Sequence, residues 1–226
     1  MKKICFLLFS LSFLLTSLVS LVGCNSVYNE ISKNVSETRY NIFSGSNSSV
    51  TATFMCGKRE KDYVVNGYSS PLIDFGVVTV TVKSTSLNTD NIRAVITINT
   101  HRYEEVLEKN PFDGTFVCDI KTTTDANELS LKLFFGDQIE QLSLSNLSLG
   151  WKVDNSKALK IATKAIKPQL KKQIQSGFNG EVYVKIIEDT KVNKGNYYWY
   201  VSFVCRNGEK HTVLIDPTTA KILAKS

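Results

Sequence analysis

The sequence predicts a mainly β chain. An antiparallel β-sandwich is expected over residues 49–149. An α+β unit, a helix followed by a three-stranded antiparallel sheet, is expected over residues 150–226. Three observations predict this. Between Val50 and Leu149, apolar residues alternate with polar ones in six or seven short runs separated by turn-forming clusters. From Asp154 the apolar spacing switches to threes and fours, the helical period. Beyond Gly180 the two-residue alternation returns in runs that flank Asn207-Gly208, a strong hairpin signal. The chain has 226 residues, 42% hydrophobic and 21% charged, which excludes wholesale disorder, a collagen-like repeat and a polytopic membrane protein.

The first segment reads as an address. Lys2 and Lys3 precede an uncharged apolar run from Ile4 to Val22, which ends in Leu21-Val22-Gly23-Cys24 and then polar Asn25-Ser26. This resembles the bacterial lipoprotein signal, whose lipobox is Leu-x-Gly/Ala-Cys. The resemblance implies cleavage after residue 23, diacylation of the Cys24 thiol, and a mature protein held by lipid on the extracytoplasmic face of the cell membrane. Two acyl chains anchor stably where one does not. Residues 24–48, rich in Ser and Asn, are expected to be the lipidated Cys and a flexible tether, with a short helical turn near Tyr28 to Val35.

The β region follows. Val50, Ala52, Phe54 and Cys56 alternate with Thr51, Thr53 and Met55; Val78, Val80 and Val82 alternate with Thr79, Thr81 and Lys83. Ile92 to Ile98, Phe116 to Lys121, Leu129 to Phe135 and Ile139 to Leu149 continue the pattern. Asn66-Gly67, Asp113-Gly114 and Gly136-Asp137 are among the turns between runs. A short helix is expected at Tyr103 to Lys109, stopped before Asn110-Pro111. So many short strands in about 100 residues point to a sandwich of immunoglobulin-like architecture. The architecture is all that is implied, since no Trp precedes Trp151.

In the last unit, Ala158, Leu159, Ala162, Ala165, Ile166, Leu170 and Ile174 mark one helical face, which Pro168 should kink or split. The strands Val182 to Ile186, Tyr197 to Phe203 and Thr212 to Ile215 follow. The helix start Ala158-Leu159-x-Ile161-Ala162, the strand Tyr198-Trp199-Tyr200-Val201 and the closing Asp216-Pro217-Thr218-Thr219-Ala220-Lys221-Ile222 resemble the PepSY domain. That family closes with an Asp-x-x-Thr-Gly-x-Ile/Val turn, so Ala220 stands where Gly is usual. The resemblance implies no catalytic residues, and it implies a role in control of a peptidase or in protein binding at the cell envelope.

Charge separates the two units. Residues 24–150 hold 11 basic and 15 acidic side chains, net −4; residues 151–226 hold 14 and 6, net +8. Lys157, Lys160, Lys164, Lys167 and Lys171 make a basic helix face, expected to be solvated and secondarily attractive to anionic lipid. Tyr197, Tyr198, Trp199 and Tyr200 are the candidate partner-binding residues, because alternation sends two of them to each face of the strand and Tyr and Trp are good interface anchors. Of the cysteines left after processing, Cys56 and Cys118 are the candidate disulfide pair; the other reading makes Cys56, Cys118 and Cys205 small buried hydrophobes. Asp216 is read as a turn cap. Cys205 and His211 flank one hairpin and are read as strand neighbours rather than a catalytic pair.

No nucleotide-binding, hydrolase or zinc-protease motif appears. No cofactor and no metal site are expected, and an extracytoplasmic address argues against nucleic acid as partner. The sequence therefore leads to a non-enzymatic binding or regulatory lipoprotein with membrane lipid and a protein as partners. A secreted or envelope peptidase is the candidate implied by the resemblance. A structural adaptor at the cell surface is the alternative.

Overall fold

The computed structural model describes residues 27–61, 71–175, 177–189 and 195–226. The lipobox with Cys24, and the Asn66-Gly67 turn, lie outside them. Among the described residues no helix is long and apolar enough to cross a membrane.

The β-rich part is a closed barrel, not a sandwich. Its eight strands are β1 (Val35–Ser46), β2 (Val50–Glu60), β3 (Leu72–Val82), β4 (Ile92–Ile98), β5 (His101–Lys109), β6 (Phe116–Ile120), β7 (Glu128–Phe135) and β8 (Gln138–Asn146). They pair in the order β1-β2-β3-β6-β5-β4-β7-β8, and β8 returns to β1 through Phe43 opposite Asn146 and Ser44 opposite Ser145. Every pairing in the ring is antiparallel. Alternate side chains point inward and fill the lumen: Phe43, Phe54, Ile96, Leu131 and Leu144 are all fully buried. A small barrel filled by its own side chains has no free edge, and closure removes the exposed edge strands a sandwich would keep.

The strand that closes the barrel lies in the stretch expected to be tether. Val35–Ser46 is a 12-residue strand, and residues 27–32 are helical, with Val27 and Ile31 packed into the second core. The Ser- and Asn-rich composition conceals these spaced apolar residues. A second expectation also fails. Tyr103 to Lys109, expected to be helical, belongs to β5, where only Leu107 is buried. Its pairing with β4 through the Asn99-Thr100 turn, with Asn99 at φ +56°, overrides the local preference. Arg93 and Arg102 both pair with Glu104 there.

Cys56 and Cys118 are free and buried. They sit on β2 and β6, which are separated by β3. Strands two places apart are about 9–10 Å from each other, beyond the Cα separation a disulfide spans. Burial pushes their thiols up to about 11 and about 12, which suits small core residues.

Beyond the barrel come α1 (Asn155–Ile166), α2 (Lys171–Gln175), β9 (Gly180–Glu188), β10 (Tyr197–Cys205), β11 (Lys210–Ile215) and β12 (Ile222–Lys225). Asp154 caps α1, its carboxylate accepting from Lys157 N at 2.7 Å. Pro168 splits the helical stretch, as expected from its missing donor. The antiparallel meander has four strands rather than three, because Ile222–Lys225 pairs with β11. Ala158, Leu159, Ala162 and Ile166 of α1 pack on Val182, Val184, Trp199, Val201 and Val213.

One strand joins both units. Along one edge of β1, Val35 to Thr38 pair in parallel with β9, while Phe43 and Ser44 pair with β8; along the other, β2 runs nearly its full length. A register shift between Arg39 and Asn41 separates these halves. Opposite it sits Gly57, where a Cβ would fall 1.8 Å from the Thr38 carbonyl oxygen, so the close passage of β1 admits only glycine. Ile42 of β1 and Met55 of β2 reach into the second core.

Glu37 adds a polar clasp to this seam. Its carboxylate accepts from Lys185 of β9 at 2.7 Å and from Arg39 at 2.5 Å, and it is mostly shielded from solvent. Burial works against the charged form, yet the two cations outweigh it and hold the carboxyl below its ordinary value of 4.5. A lowered folded-state pKa gives stability that is present above the unfolded value and lost as pH falls through the folded one. The stability difference between wild type and Glu37→Gln is therefore expected to be largest above about pH 4.5 and to shrink in more acid solution. Thermal melts of both proteins across pH 3–7 check it, and a difference that grows toward acid would contradict the assignment.

The last turn shows why Ala220 is unusual. Asp216 Oδ1 accepts from Thr218 N at 2.8 Å and Thr219 N at 2.7 Å, the turn-capping role expected of it. Those backbone bonds lower its pKa despite some desolvation. Ala220 then takes φ +64°, in the region glycine adopts freely and an L side chain does not. Ala220→Gly is expected to stabilise the fold by about 1 kcal/mol, a rise of about 2–4 °C in Tm for a chain of this size. A fall in Tm would mean the alanine methyl contributes more by packing than its backbone costs.

Candidate functional site

The four aromatic residues of β10 divide between the two faces of the C-terminal sheet. Trp199 is core: it is 1% exposed, its indole Nε1 donates to Val153 O at 2.8 Å, and Trp151 meets it edge-on at 6.1 Å. This bond holds the strap before α1 against the sheet, as does Val153 N donating to Pro217 O at 3.0 Å. Tyr197 is half-buried on the same face, its hydroxyl pushed up to about 12 by burial and then by the charge of Glu188. Trp199 is therefore a packing residue, not a surface for a partner.

Tyr198 and Tyr200 lie on the face away from α1. Register places Tyr198 opposite Ile187, and Tyr200 between Lys185 and Leu214. The barrel continues this sheet sideways through β1, and both tyrosines stay partly exposed, while Ser202 further along the same face is buried. Lys210 stands 5.8 Å from the Tyr200 ring. At the rim, Tyr198 joins Leu147, Trp151, Tyr197 and Asp216 around an open groove of about 370 Å³. Leu147 is 38% exposed there. The groove offers aromatic and aliphatic contact beside a charged carboxylate, a combination suited to a protein segment.

The basic helix face is solvated, as expected. Lys157, Lys160, Lys164, Lys167 and Lys171 are all exposed. Lys157 Nζ donates to Lys152 O at 2.8 Å, and Lys160 lies 5.0 Å from the Tyr28 ring. The apolar side of α1 is consumed by the sheet, which leaves this helix no hydrophobic stripe with which to enter a bilayer. A long-range pull toward anionic surfaces is the contribution these lysines can make.

The structure also assembles a group that spacing alone left as strand neighbours. Cys205 Sγ, a carboxylate oxygen of Glu209 and an imidazole nitrogen of His211 all lie within 4.8 Å of one another at the β10–β11 hairpin. The signal was available in the sequence: Asn207-Gly208 sets the hairpin, and the odd-numbered positions 205, 209 and 211 then share a face. Cys205 is buried, and burial followed by the Glu209 charge raises its pKa. A protonated, buried thiol lacks the exposed thiolate that cysteine nucleophiles use.

Residues 152–225 match the family model described as peptidase propeptide and YPEB domain, or PepSY, a span that takes in α1, α2 and the whole meander. No curated protein and no solved structure matches the chain. Residues 152–225 are therefore similar to the PepSY family, whose description is that of a peptidase-propeptide unit.

Proposed function

We propose that this protein is an extracytoplasmic lipoprotein, anchored through diacylated Cys24, with a non-enzymatic binding or regulatory role at the cell envelope. Its PepSY domain docks a peptidase. The observation that carries the reading is the match of residues 152–225 to a peptidase-propeptide family. The groove beside Tyr198 and the strip of Tyr200, Ile187 and Leu214 give that docking a surface. Folding supports the regulatory role: the described N-terminal residues pack onto the PepSY sheet, so the barrel presents the domain as part of one body rather than as a free module.

Recognition divides between contact and approach. Tyr198 and Tyr200 supply rigid, amphipathic area at little cost in side-chain entropy. The exposed lysines of α1 face a different direction and favour an acidic surface, which for a lipid-held protein includes the anionic membrane itself.

Full-length protein used as bait against envelope extract is expected to retain a peptidase identifiable by mass spectrometry and to lower that peptidase's activity. Tyr198→Ala with Tyr200→Ala is expected to weaken the complex at least tenfold, in the range of interface anchors. Hydrolysis of peptide substrates by the purified protein, or an unaltered complex with the double variant, would overturn this reading.

The anchor has its own test. Cys24→Ser is expected to abolish incorporation of labelled palmitate and to move the protein out of the lipid-modified membrane fraction. Undiminished labelling of the variant would place the lipid elsewhere, and no labelling of the wild type would remove it.

A further inference from the structure

We propose that Cys205, Glu209 and His211 form a binding site for a thiophilic divalent cation of the zinc class. The three side chains offer one sulfur, one oxygen and one nitrogen donor, each within 4.8 Å of the others. Tetrahedral ligands about 2.0–2.3 Å from a common ion stand about 3.3–3.8 Å apart, a separation that these side chains reach by small rotations within that limit. Three protein ligands leave a fourth tetrahedral position for water or for a group from a partner.

The backbone builds this arrangement before any ion arrives. Cys205 N donates to Glu209 O at 2.8 Å and Gly208 N to Cys205 O at 2.9 Å, which fixes the hairpin. His211 pairs with Phe203 across the ladder, so Cys205 and His211 are diagonal neighbours on the face toward the helices. A second observation marks the spot. His211 Nε2 is buried and has no hydrogen-bond partner among the described residues, an unsatisfied polar atom that a metal ion would satisfy.

Outer contacts orient the ligands. Gln173 Nε2 of α2 donates to Glu209 Oε2 at 2.8 Å, which fixes the orientation of the carboxylate. The site opens into a cleft of about 860 Å³ bounded by Pro168, Lys172, Asn179 and Arg206, which gives an ion access. Lys171, Lys172 and Arg206 oppose a cation from that cleft. The site meets this by charge: coordination displaces the Cys205 proton to solvent, and one thiolate with one carboxylate neutralises a divalent ion. The mixed sulfur, nitrogen and oxygen set selects against magnesium and calcium, which take oxygen ligands.

Cobalt(II) is the probe, because a thiolate ligand gives it an intense sulfur-to-metal charge-transfer band. Full-length protein is expected to bind one cobalt ion per chain with that band and to release it to competing zinc. Cys205→Ser is expected to remove the band, and His211→Gln to weaken binding at least a hundredfold. Gln173→Ala should weaken binding about tenfold, as for an orienting partner. Glu209→Gln changes an exposed side chain and leaves the fold intact, so it keeps the test decisive if a core variant fails to fold; at least tenfold weaker binding is expected. No charge-transfer band in folded wild type, or cobalt binding unchanged in Glu209→Gln and Cys205→Ser, would overturn the proposal.

Discussion

The structure depends on one shared strand edge. β1 offers its carbonyl and amide groups to β9 over its first residues and to β8 over its last, while β2 pairs along the opposite side. Two backbone bonds mark the ends of that division: Val182 N donates to Asn34 O and Leu147 N to Ile42 O, each at 2.8 Å. Buried backbone groups must be paired. A strand between two neighbours on the same edge therefore has to change direction at the point of hand-over. The irregularity at Tyr40 and the side-chain-free Gly57 supply the change.

That constraint couples two cores that would otherwise be separate. The barrel lumen is filled by its own alternating residues. The second core, beneath α1, draws on Val27, Ile31 and Ile42 from the N-terminal part of the chain. Residues 152–225 thus match a domain family, yet in this chain they lean on a parallel strand and an apolar lid that lie outside the match. Lost pairing at β1 would open the barrel seam and expose the edge of β9 at once, and the Glu37 clasp sits where the two meet.

The C-terminal sheet separates tasks by face. Toward the helices, Trp199, Val201, Phe203 and Val213 are buried, and at the open end of that face the hairpin gathers Cys205, Glu209 and His211. Away from the helices, Tyr198, Tyr200 and Leu214 remain partly exposed. Strand alternation produces this separation: odd positions of β10 face the helices, and Tyr198, Tyr200 and Val204 among the even ones stay partly exposed. The proposed docking surface and the proposed ion site thus draw on different side chains of one sheet.

Much of this was readable along the chain. The two-residue alternation placed β2, β3, β4, β6, β7 and β8. The three-to-four spacing with Asp154 and Pro168 placed the split helix, and Asn207-Gly208 placed the hairpin, because each is a local pattern of backbone geometry and burial. Ala220 in a usual glycine position implied a slightly different turn or a small strain, and φ +64° is the strained outcome. Closure was not readable, since inward and outward alternation is the same in a sandwich and a barrel. Only the return of β8 to β1 distinguishes them. β1 itself was concealed in polar composition, and Tyr103 to Lys109 took strand form from its neighbour β4 rather than from its own propensity. The sequence by itself determined which residues face inward and where the chain turns, for these follow from local periodicity. Tertiary structure alone decided which strands meet, hence which of four consecutive aromatics stay exposed and that Cys205, Glu209 and His211 converge, because pairing between distant strands is set by packing that no local pattern records.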